Sequence, residues 1–253
     1  DLHDEIQSLR EKGQYADTRL KLDLENRNPD EGVTSIAYNK GYYFLRSIEE
    51  AHGRDKFDAF LKDYFSDNAL YWFETFHIDG LRCDAIHPVF DSGAVHFWQY
   101  VRKKITELEK RVGRRFHIVA ESDLNSPKVF KPVEAGGYGF DAQWLDDFHH
   151  ALYVLLNPSD KKRYYDFGSM QQLAKAYSEG FVHSGQWVKF RKRKFGASSK
   201  GEPGNKFIAF NTNHDQVGNR PGGERLSLLL DFERLKLAAA ALLLSPYIPL
   251  LFM

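Results

Sequence analysis

The chain has 253 residues, of which 42% are hydrophobic and 28% are charged, so it has enough apolar material for a buried core. Its 35 basic and 35 acidic side chains cancel, and no overall charge attracts it to nucleic acid or to an anionic membrane. One cysteine, Cys83, excludes an intrachain disulfide and a cysteine-based zinc site. We therefore expect no nucleic-acid or membrane partner, and the unpaired thiol favours the cytoplasm, while the oligomeric state stays open.

The two ends of the sequence have the character of cut ends. The first residue is Asp1 rather than methionine, and residues 248–253 are an apolar run with no tail after it. The longest apolar stretch, 237–253, contains Pro246 and Pro249 and is shorter than the roughly 20 residues of a membrane span. We expect a truncated chain in which this stretch forms a helix followed by a strand.

Residues 1–65 have the pattern of a small all-helical segment. Apolar residues recur at three- and four-residue spacing over 2–12, 35–48 and 54–65, which predicts three helices. Gly53 lies between the second and the third helix and suits a C-cap. The aromatic residues of these two helices are expected in a helix core, namely Tyr42, Tyr43, Phe44, Phe57, Phe60 and Phe65.

From residue 67 onwards, helix-type and strand-type segments alternate. The pattern predicts strands over 78–84, 116–121, 141–144, 206–211 and 248–252. Helices are expected over 67–76, 95–112, 145–155 and 226–244. Such alternation is typical of βαβ units and a parallel sheet, so the predicted fold class is α/β. Polar residues follow the strands, which is where a β/α barrel places its chemistry.

Three carboxylates stand directly after predicted strands or close to their ends. They are Asp84 after GLRC, Glu121 after HIVA and Asp215 after FNTNH. Two carboxyl groups on either side of a glycosidic bond are the minimum apparatus for glycoside hydrolysis, and a third can orient sugar hydroxyls. The spacing leaves an alternative open, since acidic residues at strand ends often cap the next helix.

Two further polar residues accompany these acids. Arg82 lies two positions before Asp84, so both side chains point to the same side of a strand. A guanidinium there stabilises the ionised carboxylate. Cys83, which lies between them, points to the other side and is expected to be a buried structural thiol. His214 precedes Asp215 and can donate a hydrogen bond to a sugar hydroxyl.

Three motifs carry a resemblance to a known family. HIDGLRCDAIH (77–87), IVAES (118–122) and NTNHDQVGNR (211–220) resemble signature regions of glycoside hydrolase family 13, the α-amylase superfamily. The longer strings around them resemble the trehalohydrolase subfamily, which acts on malto-oligosyltrehalose: AESDLNSP (120–127), GGYGFDAQWLDDFHHAL (136–152), GQWVKFRKRKFG (185–196) and NHDQVGNRPGGERLS (213–227). The resemblance extends over about residues 66–253.

The resemblance implies a role for each matching residue. Asp84 becomes the nucleophile, Glu121 the general acid/base and Asp215 the stabiliser of the transition state. Substrate-binding roles pass to Arg82, His214 and His87. The implied reaction is retaining hydrolysis of the α-1,4 bond next to a terminal trehalose unit, through a covalent intermediate. The implied partner is an α-glucan substrate, and no metal or cofactor is implied.

A polar cluster after the third predicted strand contains further candidates for sugar binding. Asp146, Asp147 and His149 follow Trp144 within five residues. An aromatic ring with flanking carboxylates suits the faces and hydroxyls of a sugar, so we interpret the cluster as a substrate-binding loop. A metal site is the alternative, although no further ligand set accompanies the cluster.

The resemblance implies that residues 66–253 form strands four to eight of a (β/α)8 TIM barrel. These strands are the C-terminal part of such a barrel. The family's first three strands have no counterpart in the sequence, and five strands cannot close an eight-stranded barrel. Two outcomes therefore stay open. The chain hydrolyses its substrate, or it is an inactive fragment that at most binds α-glucan.

Residues 1–65 carry a second, unrelated resemblance. NPDEGVTSIAYNKGYYFLRSIEEAHGRDKFDAFLKDYF (28–65) is similar to the zinc aminopeptidases that include leukotriene hydrolase and aminopeptidase N. Tyr38 and Asp30 match residues of that family's active site, whereas the zinc motif His-Glu-x-x-His is absent. We interpret residues 1–65 as an aminopeptidase remnant without zinc, joined to a partial hydrolase barrel at 66–253 in a chimeric reading frame.

Overall fold

The computed structural model describes residues 2–19 and 35–252, except for the side chain of Arg163. The chain divides into two units, residues 1–65 and 66–253. Its first helices are α1 (Leu2–Glu11), α2 (Ser35–His52) and α3 (Arg54–Thr75). Gly53 has a φ of 82° and its N–H donates to the Glu49 carbonyl at 2.8 Å, so the predicted C-cap is confirmed. The separate helices predicted over 54–65 and 67–76 are one helix, because no proline or glycine interrupts 54–75.

The expected aromatic core of α2 and α3 is wrong for most of its members. Phe57 is buried, whereas Phe60 and Phe65 are more than half exposed. Tyr42, Tyr43 and Phe44 are exposed as well. These three residues are consecutive, and successive residues of a helix point about 100° apart, so they cannot share one buried face.

The second unit contains a parallel sheet and the helices that follow its strands. In chain order its elements are β1 (Gly80–Cys83), α4 (Phe97–Val112), β2 (His117–Ala120), β3 (Ala142–Trp144), α5 (Asp146–Leu156), α6 (Met170–Glu179), β4 (Trp187–Val188), β5 (Arg193–Lys194), β6 (Phe207–Phe210), α7 (His214–Gly218), α8 (Leu226–Leu229), α9 (Phe232–Leu243) and β7 (Ile248–Leu250). Among the described residues the sheet has five strands in the order β1-β2-β3-β6-β7. All four of its strand pairs are parallel. The predicted α/β class is confirmed.

Strand register determines where the polar residues emerge. Cys83 of β1 pairs with Ala120 of β2, so Asp84 and Glu121 leave the sheet side by side. Ala120 in turn pairs with Gln143 of β3, one residue before Trp144. Because the strands are parallel, their carboxyl ends all lie at one edge of the sheet.

The helices bury apolar faces against the sheet. Val101, Ile105 and Leu108 recur along α4 at helical spacing and are buried, as are Phe148 and Leu152 of α5. Full burial of such a side chain stabilises the fold by about 1.5–3 kcal/mol. None of the helices within 2–19 and 35–252 is long and apolar enough to cross a bilayer.

Cys83 lies within this packed sheet. It is partly buried, and burial raises the pKa of its thiol to about 12. The thiol is therefore protonated and unreactive at neutral pH, as expected for a structural cysteine.

The sequence pattern missed several local features. The helix predicted over 226–244 is interrupted, because the Asp231 side chain accepts a hydrogen bond from the Arg234 N–H at 2.9 Å and caps a new helix there. The helices α6 and α7 and the antiparallel pair β4–β5 were not predicted either. The pair β4–β5 lies between β3 and β6 in the sequence. Ala197, three residues after the end of β5, donates its N–H to the Asn125 carbonyl at 2.7 Å.

Gly196 and Gly201 allow the packing of the segment that follows β5 to be tested. Both have a positive φ, 83° and 88°, so alanine costs each position about 1 kcal/mol of backbone strain. A Cβ on Gly196 would lie 2.0 Å from the His183 carbonyl oxygen, whereas a Cβ on Gly201 meets nothing within 4 Å. We expect Gly196→Ala to lower the free energy of unfolding by about 2 kcal/mol more than Gly201→Ala, measured by urea denaturation. Equal losses would contradict the packing described here.

Candidate active site

Three carboxylates meet around one guanidinium at the carboxyl edge of the sheet. The Arg82 Nη1 donates to Asp84 Oδ1 at 2.7 Å. The Arg82 Nη2 lies 3.9 Å from both Glu121 Oε2 and Asp215 Oδ2. The structure thus brings together the three acids and the arginine that the sequence singled out, although they belong to three different strand ends.

The ring of Trp144 supports this guanidinium. The Arg82 Cζ lies 4.1 Å from the centre of the Trp144 ring, a distance at which the ring face attracts the cation. Trp144 is buried at the end of β3, and the His214 ring lies 5.9 Å away on its edge. Arg82 is consequently held between an aromatic face and three carboxyl groups.

The carboxylates differ in how far they reach into solvent. The side chain of Glu121 is 19% exposed, whereas that of Asp84 is 74% exposed. The side chain of Asp215 is half exposed. Glu121 is therefore the enclosed acid of the group, and Asp84 is the one most open to a ligand.

The backbone after Asp84 turns sharply and ties the first two acids together. Ala85 has a φ of 45°, which is uncommon for a residue other than glycine. Its N–H donates to Glu121 Oε2 at 2.5 Å, and the N–H of Ile86 donates to the Glu121 carbonyl at 3.0 Å. The strained turn therefore orients the Glu121 side chain directly.

The two predicted histidines lie beside the acids. His87 accepts a hydrogen bond from the Asp123 N–H on its Nδ1 at 3.1 Å, so its Nε2 carries the proton when the ring is neutral. The His214 Nε2 lies 3.5 Å from Asp215 Oδ1. Both rings remain partly accessible, and each can donate a hydrogen bond to a ligand.

Asp146 adds a fourth carboxyl group to this edge. It is half-buried at the start of α5. Burial, followed by repulsion from Glu121 and Asp147 and then from Asp215, raises the pKa of Asp146 to about 7. Asp146 therefore keeps its proton up to about pH 7, and in that form it can donate a hydrogen bond where an ionised carboxylate could only accept.

Asp147 is buried, and its carboxylate accepts hydrogen bonds from backbone N–H groups. Its Oδ2 accepts hydrogen bonds from the N–H groups of Val182 and His183, at 2.7 and 2.9 Å. The Asn125 side chain donates to the same oxygen at 2.7 Å. The carboxylate thus joins the loop after β2 to the segment after α6, and it presents no free surface to a ligand.

His149 is buried as well, on the same helix. Its Nδ1 lies 2.5 Å from the Asn211 carbonyl, and its ring stacks on Tyr153 with 5.5 Å between centres. Burial lowers the pKa of His149 to about 4, so the ring is neutral and its Nδ1 donates to that carbonyl. The sugar-binding roles predicted for Asp147 and His149 stay untested, but both side chains are occupied by protein groups.

A cavity with aromatic walls, which the sequence analysis did not predict, opens next to this edge. It has a volume of about 180 Å³ and is lined by Tyr164, Tyr165, Phe167, Phe190 and Phe195, together with His150, His183, Asp166, Val188 and Arg191. Arg191 forms an ion pair with Asp123, two residues after Glu121, which links the cavity wall to this edge of the sheet. The signal in the sequence is the mixture of aromatic and charged residues over 164–167 and 187–195.

The other predicted positions lie elsewhere. Tyr38 is on α2 with 77% of its surface exposed. Asp30 lies outside the described residues. Within the described part of the chain, no group of three or more His, Cys, Asp or Glu residues could hold a metal ion.

This fold is similar to that of a protein assigned as an α-amylase. A crystal structure of a Salmonella typhimurium protein assigned as an α-amylase matches the chain with a TM-score of 0.69 and 38% identity. It covers 78% of this chain, and this chain covers 34% of it. The five parallel strands are therefore part of a (β/α)8 barrel, as the sequence predicted. No family model matches the chain.

Among curated proteins the similarity is to malto-oligosyltrehalose trehalohydrolases. The enzyme of Saccharolobus solfataricus is 42% identical over 193 residues, and that of Arthrobacter ramosus is 41% identical over 194 residues. Each alignment covers 76% of this chain. The chain spans about a third of the length of these relatives, 33% and 34%.

The raised pKa of Asp146 makes the stability of the chain depend on pH. The unfolded carboxyl loses its proton near pH 4, whereas the folded one keeps it up to about pH 7. Between these values the folded state holds more protons, so the contribution of Asp146 to stability falls as pH rises. We expect Asp146→Asn to match the wild type at pH 4 and to be more stable by about 2 kcal/mol at pH 8, measured by urea denaturation. The same difference at both pH values would contradict this assignment.

Proposed function

We propose that the chain carries the centre for retaining hydrolysis of the α-1,4-glucosidic bond next to the terminal trehalose of a malto-oligosyltrehalose. The observation that carries the proposal is the convergence of Asp84, Glu121 and Asp215 on Arg82, within 4 Å of its terminal nitrogens. The relatives at about 40% identity are named for this activity.

In the first step Asp84 attacks the anomeric carbon while Glu121 protonates the departing glycosidic oxygen. Asp84 suits the attack because it is the most exposed of the three acids and forms an ion pair with Arg82. Glu121 suits the proton transfer because it is enclosed and fixed by the Ala85 N–H. Both groups lie at one guanidinium, in keeping with the short carboxyl separation of retaining enzymes.

In the second step water attacks the anomeric carbon and breaks its bond to Asp84, while Glu121 takes a proton from this water. Asp84 is thereby released as a carboxylate and Glu121 is again a carboxylic acid. Asp215 and His214 bind hydroxyls of the sugar ring and favour its distortion. Arg82 lies among all three acids, so at each step it stabilises those of them that carry a negative charge. His87 and the protonated Asp146 can donate hydrogen bonds at the rim.

The cavity lined by Tyr164, Phe167 and Phe190 suits the trehalose end of the substrate. Aromatic walls offer flat apolar surfaces to sugar rings, and His150, Asp166 and Arg191 offer polar groups for hydroxyls. Arg191 on the cavity wall forms an ion pair with Asp123, which lies two residues after Glu121. This ion pair connects the cavity to Glu121. In this assignment Asp147 and His149 support the site from beneath and do not touch sugar.

We further propose that residues 1–65 derive from a zinc aminopeptidase. The resemblance of the string 28–65 supports this origin. The zinc motif is absent from the sequence, so we expect no peptidase activity. Zinc in stoichiometric amount, measured by elemental analysis of the purified chain, would contradict this view. The single cysteine supports the cytoplasm as the working compartment.

The test of the hydrolase is the release of trehalose from a malto-oligosyltrehalose by the purified chain. We expect Glu121→Gln to lower the rate by at least about 100-fold, because the amide keeps the shape but cannot transfer a proton. Glu134→Gln is the matched control, since Glu134 is exposed and lines a cavity with Asp141 and Lys206, which precede β3 and β6 at the opposite edge of the sheet. Equal rates for Glu121→Gln and Glu134→Gln would contradict the role of Glu121.

The same preparation distinguishes hydrolysis from binding alone. If neither the wild type nor the variants release trehalose, calorimetry with the oligosaccharide measures whether the chain binds it. Binding without turnover would mean that the residues of this site recognise α-glucan but do not hydrolyse it in this chain. Absence of both would refute the proposed function.

A further inference from the structure

Asp215 lies in the segment 211–220, and the contacts of this segment determine the position of Asp215. The segment follows β6 and contains α7, which has only five residues. Asp215 and His214 are half exposed, so burial of their side chains does not fix the segment. A short helix of this length is not stable on its own. The position of Asp215 therefore depends on hydrogen bonds made by the rest of the segment.

The start of the segment is fastened by Asn211 and Asn213. The Asn211 carbonyl accepts a hydrogen bond from the buried His149, and its side chain donates to the Ala238 carbonyl at 3.0 Å. Asn213 caps α7, since its side chain accepts from the Asp215 N–H at 2.8 Å. The chain thus enters α7 in a defined direction.

The end of the segment is fastened by Arg220. Its Nη2 donates to the Tyr153 hydroxyl at 2.6 Å and lies 2.9 Å from Asp160 Oδ2. The Tyr153 hydroxyl also donates to Asp160 at 2.8 Å and accepts from the Asn157 side chain at 2.9 Å. The hydroxyl therefore uses its single proton and both of its lone pairs. The side chain of Arg220 is only 10% exposed, so it faces protein groups rather than a ligand.

Each fastening includes a residue from one face of α5, beside the contacts with Ala238 and Asp160. His149 and Tyr153 are four residues apart on this helix, and their rings stack. His149 holds the residue at which the segment leaves β6, and Tyr153 holds the residue five positions after Asp215. The two ends of the segment are therefore tied to a single buried helix.

We propose that α5 sets the position of Asp215 by binding both ends of the segment 211–220, with Tyr153 and Arg220 as positioning residues. The consequence for catalysis rests on the proposed function, whereas the fastening of the segment does not. Asp215 lies 3.9 Å from Arg82, so a displaced segment would move its carboxylate away from the guanidinium.

Amide hydrogen exchange tests the fastening without any need for enzymatic activity. The N–H groups of Val217, Asn219 and Arg220 bond to carbonyls within the segment. In Tyr153→Phe and in Arg220→Ala we expect these amides to exchange at least about 10-fold faster, because the segment opens locally. The amides of β2 should keep their rates. Arg220→Lys retains the cation and should restore part of the protection. Arg234→Ala is the matched control, since it removes a half-exposed surface ion pair.

Two results would overturn the proposal. Unchanged exchange in the segment of both variants would mean that Tyr153 and Arg220 do not hold it. Equal acceleration in the segment and in β2 would mean that the two residues stabilise the whole unit and have no particular effect on Asp215. Tyr153→Phe keeps the ring that stacks on His149, so it separates loss of the hydroxyl from loss of packing.

Trehalose release supplies the second readout. If the wild type is active, we expect kcat to fall by about 10- to 100-fold in Arg220→Ala with KM within about 2-fold, because misplacement by about 1 Å costs this much in rate. An unchanged kcat with a loosened segment would refute the positioning role. If the wild type is inactive, the proposed function fails while hydrogen exchange still decides whether α5 fastens the segment.

Discussion

The charge of Arg82 is the constraint on which the site depends. Carboxylates gathered around one point repel one another, and a cation among them offsets this repulsion. Arg82 can stay at this place because its guanidinium is charged at every relevant pH and because Trp144 offers it a ring face in place of water. The arrangement is thus a balance between repulsion among the acids and attraction to one shared cation.

The parallel sheet determines which residues take part in this balance. Asp84, Glu121 and Trp144 come from three neighbouring strands, and their register places them at one edge. Asp215 comes from the next strand but stands five residues beyond its end, so the sheet alone does not position it. The helix α5 supplies what the sheet lacks. It contributes the half-buried Asp146 to the edge, and its residues Asp147, His149 and Tyr153 form hydrogen bonds with neighbouring loops.

Sequence reasoning was most successful where a local pattern carries the answer. Alternating strands and helices predicted the parallel sheet, and the residues after its strands predicted that Asp84 and Glu121 would emerge together. Asp147 and His149 illustrate why the rest could not be predicted. Both stand in a polar cluster that resembles a binding loop, and only contacts with residues about 35 to 60 positions away reveal that they are buried. The break at Asp231 and the aromatic cavity depend in the same way on a side-chain cap and on long-range packing.

The state of Cys83 has a practical consequence for the study of this chain. It is the sole cysteine, it lies on the strand that leads to Asp84, and its pKa of about 12 leaves about one thiol in 100,000 ionised at pH 7. An alkylating reagent therefore reacts with the native strand extremely slowly and with an opened strand at the rate of a free thiol. The time course of labelling therefore measures the rate at which β1 opens. Mass spectrometry detects the labelled chain by a single added mass.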